Sequence, residues 1–144
     1  MENVFYYKTD LNWKEGRIGE ISEPTLDTIK VATPPEFPKG VPNIWSPEHL
    51  YVASVNVCLM TTFLAVAENS RLEFENYSAE ATGKLEKVER TMQITEIVIK
   101  PKITLKNKED EEKALRIINK SEDVCLISNS IKTKVILEPI IETV

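Results

Sequence analysis

Two cysteines, Cys58 and Cys125, are the only thiols in the 144-residue chain. A thiolate attacks peroxides and disulfides, and two thiols brought together can cycle between dithiol and disulfide. Cys58 lies inside Ser46–Glu68, a stretch that is apolar on nearly every helical face. Apolar burial raises a thiol's pKa, so a reactive cysteine there needs a cation. Arg17 is one candidate cation among several basic residues in strand regions. Glu48 precedes Cys58 on the same predicted helix by about 15 Å of helical rise. The two cannot touch within one chain, but they could share a site if two such helices cross in a dimer. The inert alternative stands beside this, because a free cysteine also packs as a small hydrophobe. A single histidine, His49, with two cysteines does not make a four-ligand zinc site. The four glycines are scattered, with no phosphate-binding loop. Neither a metal nor a cofactor is expected.

The elements that must position these residues follow from pattern. Residues 46–68 read as the central helix: Ser46 suits the N-cap, Pro47 the first turn, and Glu48 the positive end of the dipole. Ser54, Asn56, Thr61 and Thr62 interrupt its apolar run, which argues against a membrane span. An all-round apolar helix is expected to be buried. Residues 1–33 form an antiparallel meander. Its first strand opens at Val4-Phe5-Tyr6-Tyr7 and reaches Trp13, with a turn at Lys14-Glu15-Gly16. Residues 34–45 are a Pro-rich loop that delivers Trp45 to the helix start. Residues 72–105 hold two long antiparallel strands, with Gly83 as a candidate bulge and Pro101 as a mark of an exposed edge. Residues 107–130 are a second helical region, capped by Asn107 and broken at Ser121-Glu122-Asp123. Residues 134–140 are a last strand. The fold class is α+β in a single domain.

Composition bounds the function classes. The net charge is −5 with no basic block, which speaks against nucleic acid. Met1-Glu2-Asn3-Val4-Phe5 lacks a basic start and a long apolar run, so the expected compartment is the cytosol and no membrane partner is expected. Structural disulfides are rare there, leaving inert thiols or a redox pair. Phe37, Trp45, Tyr51 and Met60 could wall a substrate or simply pack.

Several motifs together resemble the OsmC/Ohr family of organic hydroperoxide reductases. They are Ser46-Pro47-Glu48-His49-Leu50 ahead of a helical cysteine, and Val124-Cys125-Leu126-Ile127-Ser128-Asn129-Ser130. Trp13, the Gly16-Arg17-x-Gly19 hairpin and Val135-Ile136-Leu137-Glu138-Pro139 extend the likeness over nearly the whole chain. The resemblance implies an intertwined α+β homodimer, with antiparallel sheets packed around two central helices. It implies thiol-based reduction of organic hydroperoxides, with hydrogen peroxide a further candidate. Cys58 matches the peroxidatic cysteine and Cys125 the resolving one. Arg17 matches an arginine that holds the thiolate, and Glu48 an acid that orients it. The family's second motif commonly reads Cys-Pro-x-Ser; here Leu126 stands at the proline. An external dithiol, lipoyl or another thiol, would close the cycle. The competing expectation is a non-catalytic dimeric module of the same fold that binds a small hydrophobic ligand.

Overall fold

The computed structural model describes residues 3–144. The chain divides into two compact units, Met1–Leu50 and Tyr51–Val144.

The first unit is a three-stranded antiparallel meander followed by a loop. Its strands are β1 (Asp10–Glu15), β2 (Ile18–Glu23) and β3 (Leu26–Ala32), paired in that order. The β1–β2 turn needs Gly16, whose φ of +51° lies in the left-handed region. The expected strand from Val4 begins only at Asp10. Among the described residues Val4–Tyr7 finds no strand partner, and Phe5, Tyr6 and Tyr7 are exposed. The Pro-rich loop is tied down despite its missing donors. Ala32 N–H donates to Trp45 O (2.9 Å), and Val41 N–H donates to Thr33 O (2.9 Å). Gly40 packs so closely on Pro34 that a Cβ there would lie 1.9 Å from its carbonyl oxygen.

Helix α1 (Pro47–Asn69) begins in this unit and runs into the second. Ser46 is its N-cap: the His49 N–H donates to Ser46 Oγ (3.1 Å), and Leu50 N–H to Ser46 O (2.9 Å). By length and composition α1 could cross a membrane. It instead lays Val55, Leu59, Phe63 and Ala67 into the core of the second unit. Within the single chain the helix is not covered on every face, for Val57, Met60 and Leu64 are 54%, 36% and 41% exposed. They recur at i, i+3 and i+7 and form one open apolar stripe.

The second unit's sheet is mixed. Strands β4 (Phe74–Val88) and β5 (Thr91–Leu105) pair antiparallel, while β6 (Lys134–Leu137) and β7 (Ile140–Thr143) both run parallel to β5. The expected long antiparallel pair is therefore extended by parallel neighbours. The expected last strand, 134–140, is split into β6 and a β7 that lies beyond it. Strand β5 buries every second residue, with Ile97, Ile99, Pro101, Ile103 and Leu105 facing the core. Pro101 therefore does not mark an edge. It falls at the gap between the β6 pairing, which ends at Ile99, and the β7 pairing, which starts at Lys102. Gly83 is not a bulge either: it pairs with Ile97, and a Cβ there would strike Val52 Cγ2 at 2.6 Å. It is the point where α1 crosses the sheet.

Helix α2 (Glu111–Asp123) follows a 3-10 turn at Lys108–Asp110. Asn107 makes no side-chain cap bond, and the helix runs through the expected break at Ser121 to Asp123. Ser121 Oγ avoids an orphaned donor by bonding Ile117 O at 2.6 Å. Ala114, Ile117, Ile118 and Ser121 form the buried face. A second 3-10 turn, Ser128–Ser130, leads to β6.

Candidate active site

Cys58 lies on the buried side of α1, and Cys125 just after the end of α2. Both are buried, and both are free thiols. The fold brings their side chains within hydrogen-bonding reach of each other. Thr62, one turn beyond Cys58, places Oγ1 3.9 Å from its sulfur.

The turn that carries Cys125 is stapled by its own side chains. Asn129 N–H donates to Cys125 O (3.0 Å), and Asn129 Nδ2 donates to Cys125 O (3.0 Å) and Asp123 O (3.1 Å). Ser130 Oγ donates to Leu126 O at 2.7 Å. With the carbonyls thus engaged, the N–H groups of Leu126 and Ile127 point at the Cys58 sulfur. Successive backbone N–H groups at the head of a turn form a concavity suited to an anion.

The two thiols are polarised in opposite directions. Burial pushes Cys58 up, but donation from Cys125, Ile127 N–H, Thr62 and Leu126 N–H together brings it below its ordinary value. Burial pushes Cys125 up, and its role as donor to Cys58 pushes it further. The Ser128 N–H and hydroxyl offset this only in part. The pair is thus biased so that Cys58 ionises before Cys125.

A polar wall lies behind Cys125. Ser128 Oγ donates to Glu122 Oε1 at 3.2 Å. Burial raises the Glu122 pKa, Ser128 lowers it, and Asp123 adds to the rise, which prevails. Tyr77 on β4 lays its ring against Phe63, centroids 5.0 Å apart, and its hydroxyl is buried without a partner. Burial first, then the charges that Cys125 and Glu122 carry once ionised, push that phenol up to about 12.

The other two expected residues belong to the first unit. Arg17 sits in the β1–β2 turn, exposed, beside a cavity of about 340 Å³ lined by Leu11, Trp13, Val31 and Pro47. Glu48 lies in the first turn of α1, and its Oε1 is buried with no hydrogen-bond partner. Among the described residues no ion pair joins Arg17 to Glu48. His49 is exposed, and its Nδ1 meets Ser46 Oγ at 2.7 Å, with Trp45 edge-on at 6.0 Å. Among the described residues no cluster of three metal-binding side chains occurs.

The family model described as OsmC-like protein matches residues 40–139, which include both cysteines and the turn that cradles them. The chain belongs to the OsmC-like family. It is 27% identical over 142 residues to the uncharacterized protein YmaD of Bacillus subtilis, covering 95% of this chain and 92% of that one. It is similar to an OsmC-like protein of unknown function from Vibrio cholerae. That likeness has a TM-score of 0.87 at 22% identity, over 95% of this chain and 100% of that one. It is also similar to the organic hydroperoxide resistance protein OsmC of Legionella pneumophila. There the TM-score is 0.71 at 20% identity, over 96% and 99% of the two chains. At these identities the solved structures establish the OsmC-like α+β fold.

In this OsmC-like chain, sequence reasoning missed Thr62, Tyr77, Glu122, Ser128 and the two backbone donors. Thr62 was within reach of pattern, since it follows Cys58 by one helical turn on the same face. Glu122 and Ser128 flank Cys125 at equal spacing, but only the turn's geometry folds them together. Nothing in the sequence marks Tyr77, which reaches the site from the opposing sheet.

Proposed function

We propose that this protein is a thiol-dependent peroxidase that reduces organic hydroperoxides, with hydrogen peroxide as a second substrate. The observation that carries this is the opposite polarisation of two neighbouring free thiols, Cys58 toward thiolate and Cys125 toward thiol. The printed description of the Legionella pneumophila relative as an organic hydroperoxide resistance protein supports the substrate class.

The Cys58 thiolate attacks the distal oxygen of the hydroperoxide, and the O–O bond breaks. The alcohol leaves with a proton, and Cys58 is left as sulfenic acid. Cys125 then displaces the sulfenic hydroxyl. Water leaves, and a Cys58–Cys125 disulfide forms. An external dithiol, dihydrolipoyl or another, returns both to thiols by exchange.

The working unit is a homodimer. The open stripe of Val57, Met60 and Leu64 on α1, and separately the exposed Phe5, Tyr6 and Tyr7, are apolar surfaces that a second copy of the chain would cover. Glu48 stands about 15 Å from Cys58 along their shared helix, out of reach. Arg17 and Glu48 act from the opposite subunit, where the unpartnered Glu48 carboxylate orients the Arg17 guanidinium toward the thiolate. Free thiols at the site suit a reducing compartment, and the cytosol is the proposed location.

The test is peroxide consumption with dihydrolipoamide or dithiothreitol as reductant, comparing cumene hydroperoxide, tert-butyl hydroperoxide and hydrogen peroxide. Turnover that prefers the organic substrates is expected. No consumption of any of the three would overturn the reading and leave the non-catalytic, ligand-binding module.

A further inference from the structure

Closing the disulfide requires Cys125 to lose a proton, and the structure leaves that proton few exits. Cys125 is fully buried, so bulk water does not reach its sulfur. The groups facing it come from four elements. From α1 come Cys58, which is its reaction partner, and Thr62, whose hydroxyl faces Cys58. From β4 comes Tyr77, a buried phenol that keeps its own proton up to about 12. From its own turn comes Ser128, three residues on, whose N–H and hydroxyl favour the Cys125 anion and whose Oγ also donates to Glu122 Oε1 at 3.2 Å. From α2 come Glu122, half-buried, and Asp123, exposed. Of these, only the Glu122 carboxylate is both joined to Cys125 through hydrogen bonds and able to accept a proton near neutral pH.

We propose that Ser128 and Glu122 form a proton relay for the resolving cysteine. The relay rests on the peroxidase reading above. Once Cys58 carries the sulfenic oxygen and no longer takes the Cys125 proton, the Cys125 S–H turns to Ser128 Oγ while the Ser128 hydroxyl donates to Glu122, so a concerted shift of two protons leaves Cys125 as thiolate and Glu122 as acid. The thiolate lone pair then forms the S–S bond to Cys58. The S–O bond of the sulfenic acid breaks, and its electron pair leaves with oxygen as hydroxide. Hydroxide takes up one proton, which the Glu122 acid can return, and departs as water. The oxidant is the hydroperoxide already consumed, so no further co-reactant is needed. Burial and Asp123 raise the Glu122 pKa toward the working pH, where a carboxylate is most effective as an acceptor. Glu122 touches no reacting sulfur; it acts through Ser128.

The experiment uses full-length protein and 4,4′-dithiodipyridine, followed by stopped-flow absorbance of released thiopyridone. The first release reports Cys58 forming a mixed disulfide, and it serves as the internal reference. The second release reports Cys125 attacking that mixed disulfide, the same deprotonation with no peroxide involved. In wild type the second release should lose rate as pH falls through the Glu122 range. In Glu122→Gln the ratio of second to first rate should fall about tenfold to a hundredfold, and that acid limb should vanish. Ser128→Ala should give the same loss, and the double variant no more, since one relay is broken once. Ser128→Thr, which keeps the hydroxyl, should restore the rate. A second release with wild-type speed and pH dependence in both Glu122→Gln and Ser128→Ala would overturn the relay. Parallel trapping of Cys58 sulfenic acid with dimedone after hydroperoxide separates the two claims. A relay signature with no sulfenic acid would sink the peroxidase reading alone, and sulfenic acid without the signature would sink the relay alone.

Discussion

Replacing Leu126 with proline removes one N–H from the cradle around Cys58 and little else. The Leu126 side chain is 67% exposed, so its loss opens no cavity. Its N–H has no backbone acceptor among the described residues, while Cys125 O already accepts from Asn129 N–H. Leu126 thus occupies the first position of a helical turn, where proline fits without losing a ladder bond. What is lost is donation to the Cys58 sulfur. A hydrogen bond to a charged group contributes about 1.5–3 kcal/mol. The lower end of that range is taken for a single donor among the several that face the sulfur. About 1.4 kcal/mol is tenfold in the thiolate–thiol equilibrium. The sign follows from which form is bonded. The N–H favours the anion, so removing it raises the Cys58 pKa and leaves less thiolate at a given pH. The assay is iodoacetamide alkylation against pH in a Cys125→Ser background, where only Cys58 reacts. On the acid side of the transition Leu126→Pro should alkylate about tenfold more slowly, with the whole profile displaced to higher pH. Circular dichroism should be unchanged. Superimposable profiles from a folded variant would refute the claim that the backbone of this turn activates Cys58.

Cys58→Ser should abolish peroxide reduction, whereas Cys125→Ser should complete one oxidation and stall with Cys58 oxidised; equal turnover of the two would contradict their division of labour. Cys58→Ser chains co-refolded with Arg17→Ala/Glu48→Ala chains should recover part of the wild-type rate if Arg17 and Glu48 act across the dimer. An inactive hybrid would return both residues to their own chain. Phe63→Ala should destabilise the protein by about 3–5 kcal/mol in denaturant titration, since Phe63 is fully buried between Phe74 and Tyr77. A loss below about 1 kcal/mol would show that this aromatic cluster is not what seats α1.

The central helix was the most legible part of the chain because its signals are local. Ser46, Pro47 and Glu48 specify a start through bonds and charges within one turn, and the structure uses Ser46 in that way. The long strands were legible by length and composition. Their errors came from residues whose meaning depends on distant partners. Pro101 sits in a central strand because β6 and β7 leave a gap beside it. Gly83 is small because Val52 crosses there. The helix face of Val57, Met60 and Leu64 reads as core by composition yet stays open in the single chain. At the site, both cysteines were legible as residue types, but their surroundings were not. Within the chain, burial of Cys58 is offset first by the Cys125 thiol and then in part by backbone N–H groups, which every sequence contains and none advertises. Glu122 and Ser128 were hidden for the same reason: the turn at Cys125 brings them together.

The most direct test is to mix the reduced protein with one equivalent of cumene hydroperoxide and digest it under non-reducing conditions after acid quench. Mass spectrometry should find the Cys58 and Cys125 peptides joined, with the loss of two hydrogens and the hydroperoxide converted to alcohol. Dithiol treatment should restore both free peptides. Two unmodified thiols beside unconsumed hydroperoxide would contradict the account.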